Sequence, residues 1–335
     1  MIRQEQFMKS NSFADRSNRS QIATLHPYAK SFAQQFGLNP TLIQIANHGF
    51  NSTFKIKTDQ GNYALRINTH SIRTPENIHA EVAWTAQLAN SPVSAAKPHP
   101  APTGEYVLYD TLPGHPRPLA AVCYHWLQGR NFPAIPTHNL YNSLALTTQY
   151  LHQNPPKLPS NAALPSLTDC CHDYDFRFTK PEHTKHLPLF QKIRDHANSA
   201  LQKSANTRGT QVIHYDLHRL NLKRQKYTIH VLDFDDCLIA PAIMDMAITF
   251  YYFRSNEQLR NLEAGYWQSY GGHFSDFGLE EHEFEALIAG RRLYLINEFV
   301  AIPLANMQAR IPAWIERSVV DFNNYLANGT FSFNK

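Results

Sequence analysis

The chain has 335 residues, of which 43% are hydrophobic, 12% are aromatic and only 17% are charged. This composition provides ample apolar surface for burial and excludes a disordered or fibrous protein, while the length suits two lobes better than one small core. The formal net charge is only +4 and the Lys and Arg residues are scattered, so a nucleic-acid partner is not implied.

The first predicted feature in chain order is a flexible lead over residues 1–23, which are rich in Ser, Asn, Arg and Gln. A helix is predicted at 26–36, where aromatic residues recur at helical spacing. Two short strands between residues 43 and 57 and a third strand at 63–68 follow. The start of the chain is therefore predicted to be β-rich after one helix.

The third strand and the helix after it predict a buried ion pair. Alternation along the strand places Arg66 on the face opposite Leu65. The next helix has Thr74 at its N-cap and Pro75 at its first position, and its Glu81 can turn toward the sheet. Because a buried carboxylate is costly without a cation, Arg66 is the predicted partner of Glu81.

Two further segments of this region bear on ligand binding. Backbone N–H groups in the turn at Gly49 could cover phosphates, although many such turns only connect strands. An apolar strand at 121–127 runs into Gln128 and Gly129, which have the character of a connector. We therefore place the lobe boundary near residue 128, with an N-lobe at 24–128 and a C-lobe at 129–335.

The C-lobe is predicted to be mostly helical. Apolar residues recur at helical spacing at 140–152, 187–204, 243–253, 256–270 and 280–301. A loop is predicted at 211–221 and a strand at 226–233, and no internal repeat is present.

The most informative segment is H-Y-D-L-H-R-L-N at 214–221, followed by Asp233 and Asp235. Asp216 follows a short apolar strand and would be held in a loop, where a carboxylate can act as the base for an acceptor hydroxyl. Asn221 and Asp233 offer oxygen ligands that suit Mg²⁺. Asp235 and Asp236 form an acidic cluster whose repulsion a cation would relieve, which also favours a metal site.

Three residues around this segment are predicted to support it or remain unassigned. His214 and His218 stand four residues apart, but a metal pair at this spacing needs a helix, whereas this segment reads as a strand and a loop. We predict that His214 packs beneath the loop and orients it, and that Asp245 hydrogen-bonds the loop from the start of the next helix. His218 receives no role.

The cellular location is predicted from the cysteines and the start of the chain. Cys123, Cys170, Cys171 and Cys237 show no paired spacing, which fits a reducing cytoplasm. Residues 1–21 are polar, and no stretch approaches about eighteen consecutive apolar residues. A cytoplasmic protein without a membrane span is predicted, and the oligomeric state stays open.

The pattern H-x-D-x-x-x-x-N…D-F-x resembles the signature of the aminoglycoside phosphotransferase and choline kinase family, which includes homoserine and stress-response kinases. The likeness runs from about residue 44 to residue 270. It implies an α+β, bilobal, protein-kinase-like fold with a β-rich N-lobe and a mostly helical C-lobe. It also implies ATP and Mg²⁺ bound between the lobes and a small-molecule hydroxyl substrate.

The resemblance also implies roles for individual residues. Asp216 would be the base, Asn221 and Asp233 would hold the metal, and Glu81 would pair with the cation that binds phosphate. Arg66 stands where the family carries the Lys of Ala-x-Lys. Adenine would meet backbone groups near Tyr124 and Trp126.

The chain departs from the family pattern at three positions, and three functions remain open. Tyr215 and Leu220 replace the glycines of the usual H-G-D-L-H-x-G-N, and Arg66 replaces Lys. An ATP-dependent kinase of an amino sugar, amino alcohol or similar molecule is the favoured function. A Ser/Thr protein kinase of the stress-response type and a nucleotide-binding pseudokinase are the alternatives.

The acceptor is not identified by the sequence. A small molecule would be enclosed by the C-terminal helices, around Tyr294, Glu298 and Trp314, whereas a protein acceptor would need an open surface. Acidic side chains that would suit a cationic acceptor are available at Asp173, Asp175, Glu280, Glu281 and Glu298. Surface acids on helices are common, so these residues do not decide the substrate.

Overall fold

The structure, a computed structural model, describes residues 12–172, 175–225, 228–302 and 305–334. The chain divides into two compact units, Met1–Gln128 with Lys157–Ala163, and Gly129–Pro156 with Leu164–Lys335. The first unit is rich in β-strands and the second is mostly helical, so the predicted α+β fold class is confirmed. The assignment of nucleotide binding to one lobe and catalysis to the other stays a prediction.

The first unit is built on an antiparallel sheet in the order β1-β2-β3-β6-β5. Its elements are α1 (Asn18–Gln35), β1 (Leu42–His48), β2 (Asn51–Thr58), β3 (Gly61–Asn68), α2 (Pro75–Leu88), β4 (Ser94–Ala95), β5 (Val107–Asp110) and β6 (Leu119–His125). A 3₁₀ turn, Phe13–Asp15, precedes α1.

Helix α1 begins earlier than predicted. It starts at Asn18, where the hydroxyl of Ser17 accepts a hydrogen bond from the backbone N–H of Ser20 at 3.3 Å, and Pro27 lies inside it. Phe13, before the helix, is only 1% exposed. The prediction of a flexible lead is therefore wrong for residues 12–23, because a polar composition concealed a capped helix. Residues 1–11 lie outside the described part of the chain.

Strand β3 separates two apolar clusters, as its alternation predicts. Leu65 and Ile67 pack with Phe32 of α1 in one cluster. Ala64 packs on the opposite face with residues of α2 such as Val82. Arg66 shares this second face, because residues two apart in a strand point the same way. The fold thus directs Arg66 toward α2.

The second unit holds the remaining elements. They are β7 (Arg130–Asn131), α3 (His138–Gln153), α4 (Pro181–Thr184), α5 (Leu187–Arg208), β8 (Gln211–Ile213), β9 (Leu222–Gln225), β10 (Thr228–Val231), β11 (Leu238–Ala240), α6 (Ile243–Phe253), α7 (Glu263–Tyr270), α8 (Glu281–Val300), α9 (Ala305–Gln308) and α10 (Ile311–Asn328). Strand β8 pairs with β11, and β9 pairs with both β10 and β7, all antiparallel.

Two predicted elements of this unit differ from the structure, and one further helix was not predicted. The predicted strand 226–233 is the second half of a hairpin, β9 and β10, in which residues 226 and 227 lie outside the described chain. The predicted helix 256–270 is a 3₁₀ segment, Glu257–Leu262, followed by α7. The C-terminal helix α10 was not among the predicted elements.

Helices α5 and α8 pack unusually closely in the second unit. A Cβ atom placed on Gly290 of α8 would lie 2.7 Å from the Cβ of Ala197 in α5, which is closer than packed side chains allow. Glycine at this position therefore permits the close approach of the two helices. Among the described helices, none is both long enough and apolar enough to cross a membrane.

Candidate active site

The candidate active site of the second unit is the loop that joins β8 to β9. Ile213, the last residue of β8, pairs with Leu238 of β11, and the loop then leads into a 3₁₀ turn, Arg219–Asn221. Within the loop Tyr215 has φ +65°, in the left-handed region that a non-glycine residue rarely adopts. Such a conformation persists only where surrounding contacts enforce it.

Asp245 supplies those contacts from the first turn of α6. Its carboxylate accepts hydrogen bonds from the backbone N–H groups of Tyr215 at 2.7 Å and His214 at 3.1 Å. A third bond comes from Nε2 of His152 at 2.9 Å. Asp245 is fully buried, so these bonds replace the water that the carboxylate loses. The prediction that Asp245 hydrogen-bonds the loop is confirmed.

His214 lies beneath the loop, as predicted. Its side chain is fully buried, with Nε2 3.0 Å from the carbonyl oxygen of Leu232 and Nδ1 accepting from the backbone N–H of Asp216 at 3.3 Å. Burial lowers the pKa of His214 below its ordinary value, and the nearby Asp245 and Asp216 only partly oppose this effect. A neutral imidazole protonated at Nε2 satisfies both contacts.

Asp216 is held by donors on both carboxylate oxygens. Nδ2 of Asn221 donates to Oδ2 at 2.7 Å, and Nε2 of His218 lies 3.2 Å from the same oxygen. Nη2 of Arg291 donates to Oδ1 at 2.6 Å, and the hydroxyl of Tyr252 lies 3.5 Å from Oδ1. The structure thus brings the predicted base and the predicted ligand Asn221 into direct contact, and it places His218 beside them.

These neighbours keep Asp216 ionised. Burial by itself would raise the pKa of Asp216, but His218, Arg291 and His214 together outweigh burial and hold the pKa well below its usual range. A carboxylate with so low a pKa is a weak base. Phosphoryl transfer through a loose transition state needs a well-placed carboxylate more than a strong base, so the arrangement suits orientation of an acceptor hydroxyl.

The hairpin β9–β10 accounts for the spacing between Asn221 and Asp233. Leu222 pairs with Val231, and the next bond of the ladder joins the N–H of Leu232 to the carbonyl of Asn221 at 2.8 Å. Asp233 follows at once, exposed and with φ +59°. The predicted metal ligands Asn221 and Asp233 are therefore brought to the same end of one hairpin.

The donor atoms at this end fit a hard cation. Asn221 uses its amide nitrogen on Asp216, which leaves the amide oxygen outside these bonds. Carboxylate and amide oxygens are the ligands that Mg²⁺ prefers. Asp235 lies two residues beyond Asp233 and is partly buried. Metal binding by Asn221, Asp233 and Asp235 stays a prediction.

The predicted ion pair of the first unit is present. Nη1 of Arg66 donates to Oε1 of Glu81 at 2.7 Å, and a second short bond joins Nη2 to Oε2, so the pair is bidentate. The hydroxyl of Tyr124 also donates to Oε1 of Glu81, at 2.8 Å. All three residues are buried. The contact between Arg66 and Glu81 is confirmed, whereas phosphate binding by Arg66 stays a prediction.

Gly49 and Trp126 have local roles within the first unit. The N–H of Gly49 donates to the carbonyl of Asn51 at 3.0 Å, and a Cβ atom on Gly49 would contact nothing within 4 Å. The turn therefore neither requires glycine nor leaves this amide without a partner. The ammonium group of Lys55 lies over the indole of Trp126, 4.5 Å from the ring centroid. The backbone N–H of Trp126 donates to the carbonyl oxygen of Asn62. Nucleotide contacts by these residues stay predictions.

The sequence reasoning missed Arg291 and Tyr252, which both contact Asp216. Arg291 lies in α8 and Tyr252 in α6, so neither is close to the loop in sequence. A signal was nevertheless present, because two adjacent arginines interrupt the apolar sequence of α8. A buried arginine requires an acidic or aromatic partner.

The residues that were expected to enclose the acceptor have different neighbours. Tyr294 packs on His172 with ring centroids 4.7 Å apart, and the guanidinium of Arg291 lies over the ring of Tyr294. Trp314 instead packs on Arg292 and Phe299.

The acidic residues that were considered for the acceptor site also vary in their surroundings. Glu298 forms an ion pair with Arg177 at 3.2 Å, and Glu280 caps the start of α8 through Glu283. Asp175 and Glu281 are exposed, whereas Asp173 lies outside the described residues.

Comparison with known proteins gives one family match. The model of a family described as "phosphotransferase enzyme family" matches residues 42–284. This range includes the ion pair of the first unit and the loop with Asp216, but it ends before Arg291. No curated protein matches the sequence at a significant level.

Several solved structures share the fold at low sequence identity. A microcompartment-associated aminopropanol kinase superposes with a TM-score of 0.72 and 18% identity, covering 92% of this chain and 99% of the other. An amicoumacin kinase in complex with AMP-PNP and Ca²⁺ superposes with a TM-score of 0.69 and 17% identity, covering 89% of this chain and 96% of the other. A Plasmodium vivax ethanolamine kinase superposes with a TM-score of 0.64 and 14% identity, covering 96% of this chain and 93% of the other.

Proposed function

The chain belongs to the phosphotransferase enzyme family, and from this premise we propose that it transfers the γ-phosphoryl group of Mg-ATP to a hydroxyl group of a small molecule. The observation that carries the proposal is the state of Asp216, which is ionised and fixed through both oxygens by Asn221 and Arg291. A carboxylate fixed in this way can orient an acceptor hydroxyl for attack.

Residues of the loop and of the segments beside it have separate tasks in the proposed reaction. Asp216 accepts a hydrogen bond from the acceptor hydroxyl and aligns its oxygen. Asp245 and His214 hold the loop so that Asp216 stays in place. Asn221, Asp233 and Asp235 would hold Mg²⁺, which when bound would neutralise charge on the phosphate oxygens of ATP.

Nucleotide binding is proposed for residues of the first unit. Arg66 would contact phosphate with the part of its guanidinium that Glu81 does not occupy, because an arginine carries five N–H donors. Glu81 and Tyr124 would keep Arg66 in a fixed orientation. Backbone groups near Tyr124 and Trp126 would meet adenine, and the turn at Gly49 would lie over phosphate.

An amino alcohol or amino sugar is the proposed acceptor class. The similar structures include kinases named for aminopropanol and ethanolamine, and one spectinomycin phosphotransferase was solved with ADP and spectinomycin. Identities of 10–18% support this choice only as a class. A cytoplasmic location is also proposed, and the four buried free cysteines are compatible with it.

The two alternatives differ from this proposal in what they would bind. A Ser/Thr protein kinase of the stress-response type would phosphorylate a protein and ignore small alcohols. A pseudokinase would bind ATP without turnover. The bonds that hold Asp216 and the intact pair of Arg66 and Glu81 favour an active enzyme over a pseudokinase.

A screen for ADP release tests the proposal. The protein is incubated with Mg-ATP and a panel of hydroxylated amines that includes aminopropanol, ethanolamine and spectinomycin, with a protein substrate such as casein in parallel. At least one small alcohol is expected to raise the rate of ADP release above the background rate, at which water is the only acceptor. Stimulation by the protein substrate alone would support the stress-response alternative, and ATP binding without turnover would support the pseudokinase.

A further inference from the structure

Arg291 lies in an aromatic cage formed by Tyr215, Tyr252 and Tyr294. The centre of its guanidinium lies 5.2 Å from the ring centroids of Tyr215 and Tyr294, and 5.6 Å from that of Tyr252. The side chain of Arg291 is only 2% exposed. Within the described residues, its Nε and Nη1 atoms have no hydrogen-bond partner. The rings therefore provide much of what surrounds this cation.

The remaining nitrogen of Arg291 is directed to Asp216. Nη2 donates to Oδ1 at 2.6 Å and also to the hydroxyl of Tyr252 at 3.1 Å. Within the described residues, Asp216 is the carboxylate that forms an ion pair with Arg291. Within the described part of the chain, the polar contacts of this buried guanidinium are thus one carboxylate and one tyrosine hydroxyl, and its position is matched to that carboxylate.

We propose that Arg291 is a positioning residue, which fixes Asp216 so that one lone pair of Oδ1 points to the acceptor hydroxyl. This inference rests on the proposed kinase function. It adds a residue of α8, outside the residues that the family model matches, to the machinery of the loop.

Counting the lone pairs of Asp216 identifies the atom that receives the acceptor. A carboxylate has about four acceptor positions, two on each oxygen. Asn221 and His218 occupy those of Oδ2, at 2.7 Å and 3.2 Å. Arg291 occupies one position of Oδ1, and among the residues that the structure describes only the hydroxyl of Tyr252, at the long distance of 3.5 Å, lies at the other. The acceptor hydroxyl would donate to Oδ1 on the side of Tyr252.

The neighbouring residue Arg292 provides a matched control. It lies on the same helix, is also buried, and stacks on Trp314 at 4.9 Å. Its polar contacts are with Ser318 at 2.7 Å, the hydroxyl of Tyr251 at 3.3 Å and Asp321 at 3.6 Å, and not with Asp216. Loss of Arg292 removes a buried, stacked guanidinium from α8 without removing a donor from the proposed base.

Chemical rescue separates a positioning role from a structural one. Arg291→Ala should lower kcat by about a hundredfold, the order expected when a reacting group is misplaced by about 1 Å, with little change in ATP affinity. Guanidinium ion at about 20 mM should enter the vacated cage and raise the kcat of Arg291→Ala by about tenfold or more. Urea, which has the same shape and no charge, should restore nothing.

Three further measurements complete the test. Arg292→Ala should lose stability, keep its kcat per folded molecule and show no response to guanidinium. Guanidinium should raise the Tm of Arg291→Ala and should fail to do so when Asp216→Asn is added, which is a readout that does not depend on turnover. If Arg291→Ala does not fold, Arg291→Lys tests the positioning role in its place. This variant should have a reduced kcat and an unchanged affinity for ATP.

Some outcomes would overturn the inference. These are a folded Arg291→Ala or Arg291→Lys protein with the kcat of the wild type, rescue by urea equal to rescue by guanidinium, or the same rescue in Arg292→Ala. A wild-type protein that turns over no ATP with any acceptor would overturn the proposed function instead. The thermal-shift arm would then still report whether Asp216 holds the cation.

Discussion

Replacement of Asp245 by asparagine should both destabilise the second unit and slow phosphoryl transfer. The change preserves the size of the side chain and replaces one acceptor oxygen by an NH₂ donor. Asp245 accepts three hydrogen bonds, from the main chain of His214, the main chain of Tyr215 and the ring of His152. At least one of these donors would then face another donor.

The magnitude follows from the number of bonds. A hydrogen bond to a charged group contributes about 1.5–3 kcal/mol, and a buried group left without its partner adds a desolvation cost. We therefore expect Asp245→Asn to lower the unfolding free energy by about 2–4 kcal/mol. The bond to Tyr215 also maintains φ +65° in the residue that precedes Asp216. Loss of that bond should displace Asp216 and lower kcat.

Urea denaturation and ADP release measure the two effects on the same preparation. Asp276→Asn serves as a control, since Asp276 is exposed and accepts a bond from the N–H of His273 at a surface turn. The control should change the unfolding free energy by less than about 1 kcal/mol. If Asp245→Asn were as stable and as active as the control, the proposed support of the loop by Asp245 would be wrong.

Three other predictions concern the remaining groups. Asp216→Asn should abolish phosphoryl transfer and leave the affinity for Mg-ATP, measured by calorimetry, nearly normal. Asp233→Ala should instead weaken the affinity for Mg-ATP. Identical behaviour of the two variants would contradict their separate roles. Arg66→Ala removes the cation that pairs with the buried carboxylate of Glu81, so it should lower the unfolding free energy by about 3–5 kcal/mol and raise the KM for ATP. Arg66→Lys should keep part of the activity. Normal turnover in a stable Arg66→Ala protein would exclude phosphate contact. Burial lowers the pKa of His70 from 6.5, and it also lowers the pKa of His48 and of His214. The folded state therefore binds fewer protons than the unfolded state, and Tm should fall as the pH is lowered from about 7.5 to about 5.5. A constant Tm across this range would contradict the reasoning.

Local signals in the sequence were sufficient for much of the fold and part of the site. The cap at Thr74 with Pro75, and the alternation that directs Arg66 away from the core cluster of Leu65, each depend on neighbours a few residues apart. The placement of Asp245 also followed from local order, since it lies in the first turn of the helix after the loop. These features are set by backbone geometry, which sequence periodicity reports directly.

The features that were missed depend on contacts between distant segments. Arg291 is 75 residues from Asp216 in sequence, and no periodic pattern joins them. In the sequence alone, Tyr215 was only a departure from the glycine of the family pattern. In the structure Tyr215 adopts the conformation that glycine would favour, and its ring forms one wall of the cage around Arg291. Leu220, the other replacement, is 66% exposed and contributes little to packing.

The start of α1 was misplaced for a different reason. Its first turn consists of polar residues, which resemble the composition of a flexible lead. Only Gln21 and Leu25 among the early residues are buried, so the apolar periodicity is weak there. Capping by Ser17 was the available signal, and a single serine is common in loops as well.

The central claim is transfer of phosphate from ATP to a hydroxyl group, and ³¹P NMR of the reaction mixture tests it most directly. With Mg-ATP and the acceptor that gives the highest ADP release, the wild-type protein should produce a phosphate monoester signal in step with the loss of the γ-phosphate signal. Asp216→Asn should produce neither change. ATP consumption by the wild type that yields only inorganic phosphate, with no ester from any acceptor, would contradict the account.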